Sequence, residues 1–441
     1  MQGCGVPECK RSLKSAVTLC SLAVLTHFGI ASCYAVNFTY KNGPRIKSDD
    51  GSFEIGLNGR GHFDVHALYP DQASPDYPAF GSQLLSGDST SFNWRRTYAS
   101  ITGKIYGVNF KFENDFAVNE TTPFPHSLRE AWVAAPLGPG QLTIGQFKPY
   151  RGLEEITSSN EITMMERPST SSTGIYSGRQ FLTGIGYRGM VRGNLGFGIH
   201  VMSLAHFGLP LEGITYGGRV VWLPVDKPGH ILHLGLSASR DTANKDSLAA
   251  RAADVYGGRL GISQSLGVAG ASPGSPNHNS QSTFAAEAAY AIGPLTLQGE
   301  YAIAGLDNTH QVNGRSRNST IQAFYAQASW FLTGETAVYK KDRGAFGKPQ
   351  PLSKWGALEL TGRYDVAENL NQSAGANPCR TGASKCQVQV ITLGVNWYLN
   401  PNMRLMLNYY LTEAQHGNTG PGTPHHTDQL SALSFRTQIN F

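Results

Sequence analysis

The chain has 441 residues, with 36 Lys and Arg against 31 Asp and Glu, a net charge of +5 that is too mild for a nucleic-acid-binding surface. It contains 51 Gly, 19 Tyr and 20 Phe but only 7 Met, a composition that suits β-strands joined by tight turns. Beyond residue 35 there is no run of eighteen apolar residues, so any membrane crossing must use strands rather than helices. The mean hydropathy of -0.26 fits this reading, because a membrane strand needs an apolar residue only at every second position.

At the start, Lys10, Arg11 and Lys14 precede an apolar run from Ala16 to Ile30 and small residues around Ser32 to Ala35. That order predicts a secretory signal peptide over 1–35, with cleavage after Ala35. A weaker alternative takes Ile30-Ala-Ser-Cys33 as a lipoprotein cleavage box with Cys33 acylated. Removing three basic residues and Glu8 with this segment lowers the net charge to +3. Four of the six cysteines lie in it, leaving Cys379 and Cys386 with six residues between them. In an exported chain that pair predicts a local disulfide in an external loop, with two free thiols as the alternative. No metal site or other cofactor is expected.

The mature region, 36–441, reads as one all-β domain, a transmembrane antiparallel β-barrel of about sixteen strands. Alternation places strands at about 53–69, 92–104, 108–119, 128–136, 141–148, 178–189, 194–205, 213–223, 230–240, 282–292 and 295–304. Four further strands present Phe324 to Leu332, Leu358 to Tyr364, Ile391 to Trp397 and Met403 to Leu411 outward. In the last strand Leu433, Phe435, Thr437, Ile439 and Phe441 share one face, and Ser434, Arg436, Gln438 and Asn440 share the other. A strand of this kind ending on Phe resembles the C-terminal assembly signal of bacterial outer-membrane barrels. If it ends in the periplasm, parity makes 137–140, 189–193, 224–229, 293–294 and 400–402 short periplasmic turns. Long stretches at 70–91, 149–177, 241–281, 305–318, 367–386 and 415–428 become external loops. One periplasmic connection, 333–353, is anomalously long and basic.

Three groups of residues resemble the phosphate-selective porin O/P family of Gram-negative bacteria. The most specific is Phe331-Leu-Thr-Gly-Glu335 with Tyr339-Lys340, Gly344-Ala-Phe346, Trp355-Gly-Ala-Leu-Glu-Leu360 and Arg363-Tyr-Asp365. The second runs from Ile144-Gly-Gln-Phe-Lys148 through Gly152-Leu-Glu-Glu155 and Thr157-Ser-Ser159 to Glu166-Arg167. The third is Trp94-Arg-Arg96 with Asn58-Gly-Arg60. The resemblance implies a homotrimer of sixteen-stranded barrels in the outer membrane, surrounded by lipid and lipopolysaccharide. Each barrel would be a water-filled channel for small anions or other small solutes, narrowed by external loops and one periplasmic segment folded inward.

Arginine and lysine suit such a lumen, since they replace part of an anion's hydration shell without holding it irreversibly. With Phe53, Ile55, Leu57, Phe63 and Val65 toward lipid, Arg60 points inward beside His62 and Asp64. Arg95 and Arg96 are adjacent, so alternation sends one into the lumen and leaves the other at the rim. The loops add Lys148, Arg151, Arg167, Arg251 and Arg259, and the inward segment adds Lys340 and Arg343. The plain alternative for each is a solvated charge, or a wall arginine paired with Asp64, Glu54 or Glu113. Two departures from the family weaken the case for phosphate specificity. Glu155 stands where phosphate-specific members carry Lys, and the fifth loop has Ser247-Leu-Ala-Ala-Arg251 in place of a dense arginine run. A non-conducting barrel acting as an adhesin is the main alternative. An outer-membrane hydrolase is a remote one, because His62, His66, His200 and Asp64 form no recognisable motif.

Overall fold

The computed structural model describes residues 36–40, 43–70, 88–117, 128–172, 175–176, 180–204, 213–243, 253–256, 262–265, 280–312, 315–370, 386–416 and 426–441. Two short strands come first, β1 (Val36–Tyr40) and β2 (Pro44–Ser48). Then follow β3 (Phe53–Pro70), β4 (Ser89–Ile105), β5 (Val108–Asp115), β6 (Leu128–Leu137) and β7 (Gly140–Phe147). A long connection carries two single-turn helices, α1 (Leu153–Ile156) and α2 (Ser169–Ser172). The chain continues through β8 (Leu182–Val191), β9 (Leu195–Ser203), β10 (Gly213–Lys227) and β11 (His230–Ala243). A small separate hairpin, β12 (Ala253–Tyr256) and β13 (Ile262–Ser265), precedes β14 (Ser280–Ile292), β15 (Leu295–Val312) and β16 (Arg315–Phe331). A two-residue pair, β17 (Tyr339–Lys340) and β18 (Ala345–Phe346), leads to β19 (Ala357–Asn369), β20 (Cys386–Asn400), β21 (Met403–His416) and β22 (His426–Asn440).

Sixteen of these strands form one closed antiparallel barrel. Closure is made by β22 on β3, with Phe435 opposite Val65 and Arg436 opposite Asp64. In hydrocarbon an unpaired edge leaves backbone groups without partners, so a spanning sheet must close on itself. The seam continues past the last strand, where Gly59 and Phe441 exchange backbone hydrogen bonds of 2.8 and 3.0 Å. The β1–β2 hairpin, which alternation did not reveal, adds itself to the start of β3 through 45–47.

Alternation sorts the two faces as expected. Trp94, Phe112, Ile199, Leu236, Phe284 and Leu393 are exposed on the outside, whereas His62, Asp64, Glu113, Glu300, Asn408 and Arg436 are buried inside. Such burial of polar side chains within a barrel requires partners, and most come from the long connection between β7 and β8, whose described residues fold into the lumen. Among the described residues, no helix is long and apolar enough to cross a membrane.

Three expectations are corrected. The stretch 305–318 is not a long loop: β15 runs to Val312 and β16 starts at Arg315, and the two strands pair up to Val312 opposite Arg315. Strand β10 continues through Pro224 to Lys227 after a register shift between Trp222 and Val225, so the turn is shorter than 224–229. Arg95 and Arg96 do not divide between lumen and rim. The β3–β4 register slips between His62 and Phe63, pairing them with Arg96 and Trp94 and leaving Arg95 as an extra residue. A bulge of this kind lets two successive side chains face the same way, and both arginines turn inward.

Gly145 in β7 shows how tightly the wall is built. Its φ is +127°, and a Cβ there would stand 2.2 Å from the Ala131 carbonyl oxygen on β6. Gly145→Val therefore should destabilise the barrel by about 1–3 kcal/mol, through the strained backbone conformation it imposes. Gly305→Ala, where nothing lies within 4 Å of the added carbon, is the matched control. Thermal unfolding of the detergent-solubilised protein should separate the two, and equal melting would refute the account of this wall.

Candidate functional site: the constricted lumen

The connection 148–181 narrows the channel because wall side chains seize its backbone at intervals. Arg60 of β3 donates to the Ser159 hydroxyl at 2.9 Å, and Gln438 of β22 donates to the Asn160 carbonyl at 3.2 Å. Arg404 of β21 donates to the Ile162 carbonyl at 3.0 Å, and Asn396 of β20 to the Thr163 carbonyl at 2.9 Å. The Met165 amide donates to Asn408 at 3.0 Å, and the Ser169 amide to the Asp365 carboxylate on β19 at 2.9 Å. Ile162, Met164 and Met165 are buried beneath these bonds. A loop of this length has many alternative conformations, and distributed polar anchoring selects one.

The strongest anchor lies at the barrel seam. Arg436 grips both oxygens of Asp64 at 2.6 Å and reaches Glu166 at 2.8 Å, while also donating to the Met165 carbonyl. Arg95 holds Glu166 bidentately, at 2.9 Å to each oxygen, and Arg96 lies 3.9 Å away. Burial alone raises a carboxyl's pKa, but here Arg95, Arg96 and Arg436 outweigh it and hold Glu166 well below the usual range.

The helix α1 is fixed at both ends. The Glu300 carboxylate accepts the amides of Leu153 and Glu154 at its N-terminus. Lys148 donates to the Glu155 and Thr157 carbonyls at 2.7 and 3.0 Å, and Arg167 to the Glu154 and Thr157 carbonyls at 2.8 and 2.6 Å. Cations at the carbonyl end of a helical turn complement its exposed partial charge. Burial, reinforced by the Arg167 charge, pushes the Lys148 ammonium well below the ordinary lysine range.

Between this loop and the wall of β3 to β8 lies a cavity of about 110 Å³. Arg60, Arg96, Lys111, Arg167, Arg188 and Arg343 line it, with Lys148, against the carboxylates Glu113 and Glu130. Arg60 pairs with Glu113 at 3.1 Å, and Lys111 bridges Glu113 and Glu130 at 3.0 and 2.7 Å. Arg167 binds only backbone carbonyls, Arg188 has no hydrogen-bonding or ion-pair partner among the described residues, and Arg343 makes only a loose 3.8 Å pair with Asp342. The lining therefore carries an excess of positive charge. A smaller cavity of about 30 Å³ adjoins it, sharing Tyr150, Ile156, Arg188 and Arg343.

Of the residues singled out in the sequence, Arg60, Arg96, Lys148, Arg167 and Arg343 line the larger cavity, and Arg95 binds Glu166 at the seam. Arg151 is buried over the Tyr176 ring, 3.9 Å from Glu155. Glu155 is 3% exposed and accepts a hydrogen bond from Gln180, so its carboxylate is turned into the loop and not toward the cavity. Lys340 pairs with Glu161 of the inward loop, which joins the two inward segments across the lumen. Arg251, Arg259 and Cys379 lie outside the described residues, as does the side chain of Cys386. Arg188 and Lys111 were missed, although alternation marks both: Ile185 and Phe112 face outward, and each cation lies an odd number of positions away.

Ser434, His66 and Asp64 have the composition of a hydrolytic triad. Ser434 Oγ lies 2.7 Å from His66 Nδ1, and His66 Nε2 lies 3.5 Å from Asp64. All three are at most 1% exposed, and Asp64 is committed to Arg436. The trio belongs to the seam, where no substrate reaches it.

A sixteen-stranded barrel with an apolar exterior, a charged lumen and inward-folded constrictions defines an outer-membrane porin. Residues 76–441 match the family model of phosphate-selective porin O and P, and the chain belongs to that family. Porin O of Pseudomonas aeruginosa is 24% identical over 404 residues, 84% of this chain and 85% of that one. The anion-selective porin from Comamonas acidovorans shares the fold at 11% identity with a TM-score of 0.54, covering 88% of this chain and all of its own. The outer-membrane channel DcaP of Acinetobacter baumannii also has a TM-score of 0.54 at 11% identity, over 90% of this chain and 99% of its own.

The Glu166 anchor carries a pH signature. A carboxylate whose pKa is depressed on folding contributes stability above its unfolded value, here 4.5, and loses it only as pH falls through the lower folded value. The constriction should therefore hold its conductance unchanged from pH 7 to about pH 4, within the window in which such a group stays ionised. Glu166→Ala leaves the half-buried Arg95 without its carboxylate, a loss of about 1.5–3 kcal/mol for charged hydrogen bonds that water partly reaches. Single-channel recordings should show larger, noisier openings in this variant at neutral pH. Quiet openings of wild-type size would contradict the anchor.

Proposed function

We propose that this porin passes small anions, phosphate among them, in preference to cations, without a tight phosphate site. The observation that supports this is the uncompensated Arg167, Arg188 and Arg343 in the cavity lining. Three cations beside a water-filled path raise the local concentration of anions, and the Glu113 and Glu130 carboxylates in the same lining keep the field from trapping one. The Comamonas protein of the same fold is described as an anion-selective porin, and the family model is described as phosphate-selective. The proposal extends to a homotrimer embedded among outer-membrane lipids and lipopolysaccharide. A Vibrio cholerae protein of the same fold, OmpT, is described in a trimer form. Residues 1–35 as a removed signal and the Cys379–Cys386 disulfide belong to the same proposal.

Arg167→Gln with Arg188→Gln should lower the chloride-over-potassium permeability ratio, by up to about tenfold for each charge if the ions pass at roughly 6 Å in a water-like dielectric, about threefold from the attraction chloride loses and about threefold from the repulsion potassium loses. Phosphate should reduce wild-type chloride current only at millimolar concentration. Block at micromolar phosphate would refute the absence of a tight site, and an unchanged ratio in the double variant would refute the role of these arginines. Glu155→Lys, by contrast, should unsettle the loop without sharpening phosphate block, because the new ammonium would be buried beside Arg151.

A further inference from the structure

The segment between β16 and β19 enters the lumen as a small hairpin, β17 and β18, with a turn at 341–344. One wall residue grips that turn. Arg219 of β10 donates from Nη1 to the Arg343 carbonyl at 3.1 Å and from Nη2 to the Gly344 carbonyl at 2.7 Å. Its Nε and Nη2 also meet Glu287 of β14 at 2.7 and 2.6 Å, so its own charge is neutralised on contact. Glu287 in turn lies 3.2 Å from His233 Nε2, and His233 Nδ1 shares a 2.5 Å hydrogen bond with the Tyr339 hydroxyl on the same hairpin.

Gly344 completes the fit. Its φ is +59°, a left-handed conformation, and a Cβ there would stand 3.1 Å from Arg219 Nη1 and 3.2 Å from Val221 Cγ2. The turn is thus seated directly on the guanidinium. What it presents is the Arg343 side chain, which lines both cavities at their junction and has only the loose Asp342 pair on contact, with Glu130, already held by Lys111, acting on it from farther away.

We infer that Arg219 is a positioning residue for ion selectivity: through its hold on the 343 and 344 carbonyls it keeps the Arg343 charge at the junction of the two cavities. The inference rests on the anion-preferring reading above. Lysine at 219 keeps the charge but has one point-like donor group in place of a fork, so it cannot span two carbonyls and a carboxylate together. Alanine at 344 reaches the same end by crowding, with no change of charge at all.

The test is a mutant cycle read by reversal potential in a potassium chloride gradient, on folded protein verified by its heat-modifiable mobility. Arg343→Gln should lower the chloride-over-potassium permeability ratio by up to about tenfold, as removal of one charge roughly 6 Å from the path does in a water-like dielectric when chloride loses about threefold and potassium gains about threefold. Arg219→Lys and Gly344→Ala should each lower the ratio in the same direction, and Arg219→Lys should add nothing in the Arg343→Gln background. If Arg343→Gln acts while Arg219→Lys and Gly344→Ala leave the ratio unchanged, the positioning role is wrong and the anion reading stands. If Arg219→Lys lowers the ratio equally with and without Arg343, it acts by its own field or by general loosening, and the inference is overturned. If Arg343→Gln changes nothing, the junction charge does not select ions and the anion reading fails at that point, with the inference. Should Arg219→Lys not fold, the cycle of Gly344→Ala with Arg343→Gln carries the same outcomes.

Discussion

A single fully buried guanidinium, that of Arg436, organises the lumen. It stands on the closing strand, grips Asp64 on the first barrel strand, and reaches Met165 and Glu166 on the inward loop. The interaction that joins the ends of the barrel is thereby also the one that fixes the constriction. Desolvating an arginine is costly, and the cost is offset only when nearly every donor finds an acceptor, as happens here with two carboxylates and a carbonyl. Removing any one partner strands the others, which makes the seam intolerant of piecemeal change.

From this anchor the charge distribution follows. Asp64 and Glu166 absorb Arg436 and Arg95, and Glu113 and Glu130 absorb Arg60 and Lys111. These pairs are architecture, and they hold loop against wall. The cations left over, Arg167, Arg188 and Arg343 among them, sit where the loop, the wall and the 333–353 segment converge on the cavity. The field of this lumen therefore comes from what the pairing leaves behind, and the number of arginines in it overstates that field.

Much of the barrel was legible because period-two alternation is a local signal. Leu433, Phe435 and Ile439 mark the outer face without knowledge of their neighbours, and the short turns mark one end of the barrel. The strand extension to Val312 has a local mark too, since Asn-Gly at 313–314 is a pair that favours a two-residue hairpin connection. Pairing across the lumen is different. Nothing near residue 436 announces Glu166, which is 270 positions away in sequence. The bulge that turns Arg95 and Arg96 inward depends on the register of β3 against β4, which a single strand does not reveal. Glu155 was read by its alignment with a family lysine, yet its side-chain direction is set by Arg151 and Gln180 within the folded loop.

The central claim, that the Arg436 seam places the loop and the loop makes the basic chamber, is tested most directly by replacing the seam pair with apolar residues. Asp64→Leu with Arg436→Leu removes both charges together, so no lone buried ion is left to unfold the barrel. In planar bilayers at neutral pH, single-channel conductance should rise and the chloride preference should fall, as the released loop leaves Arg167 without a fixed position. Conductance and selectivity both at wild-type values in the folded double variant would contradict the claim.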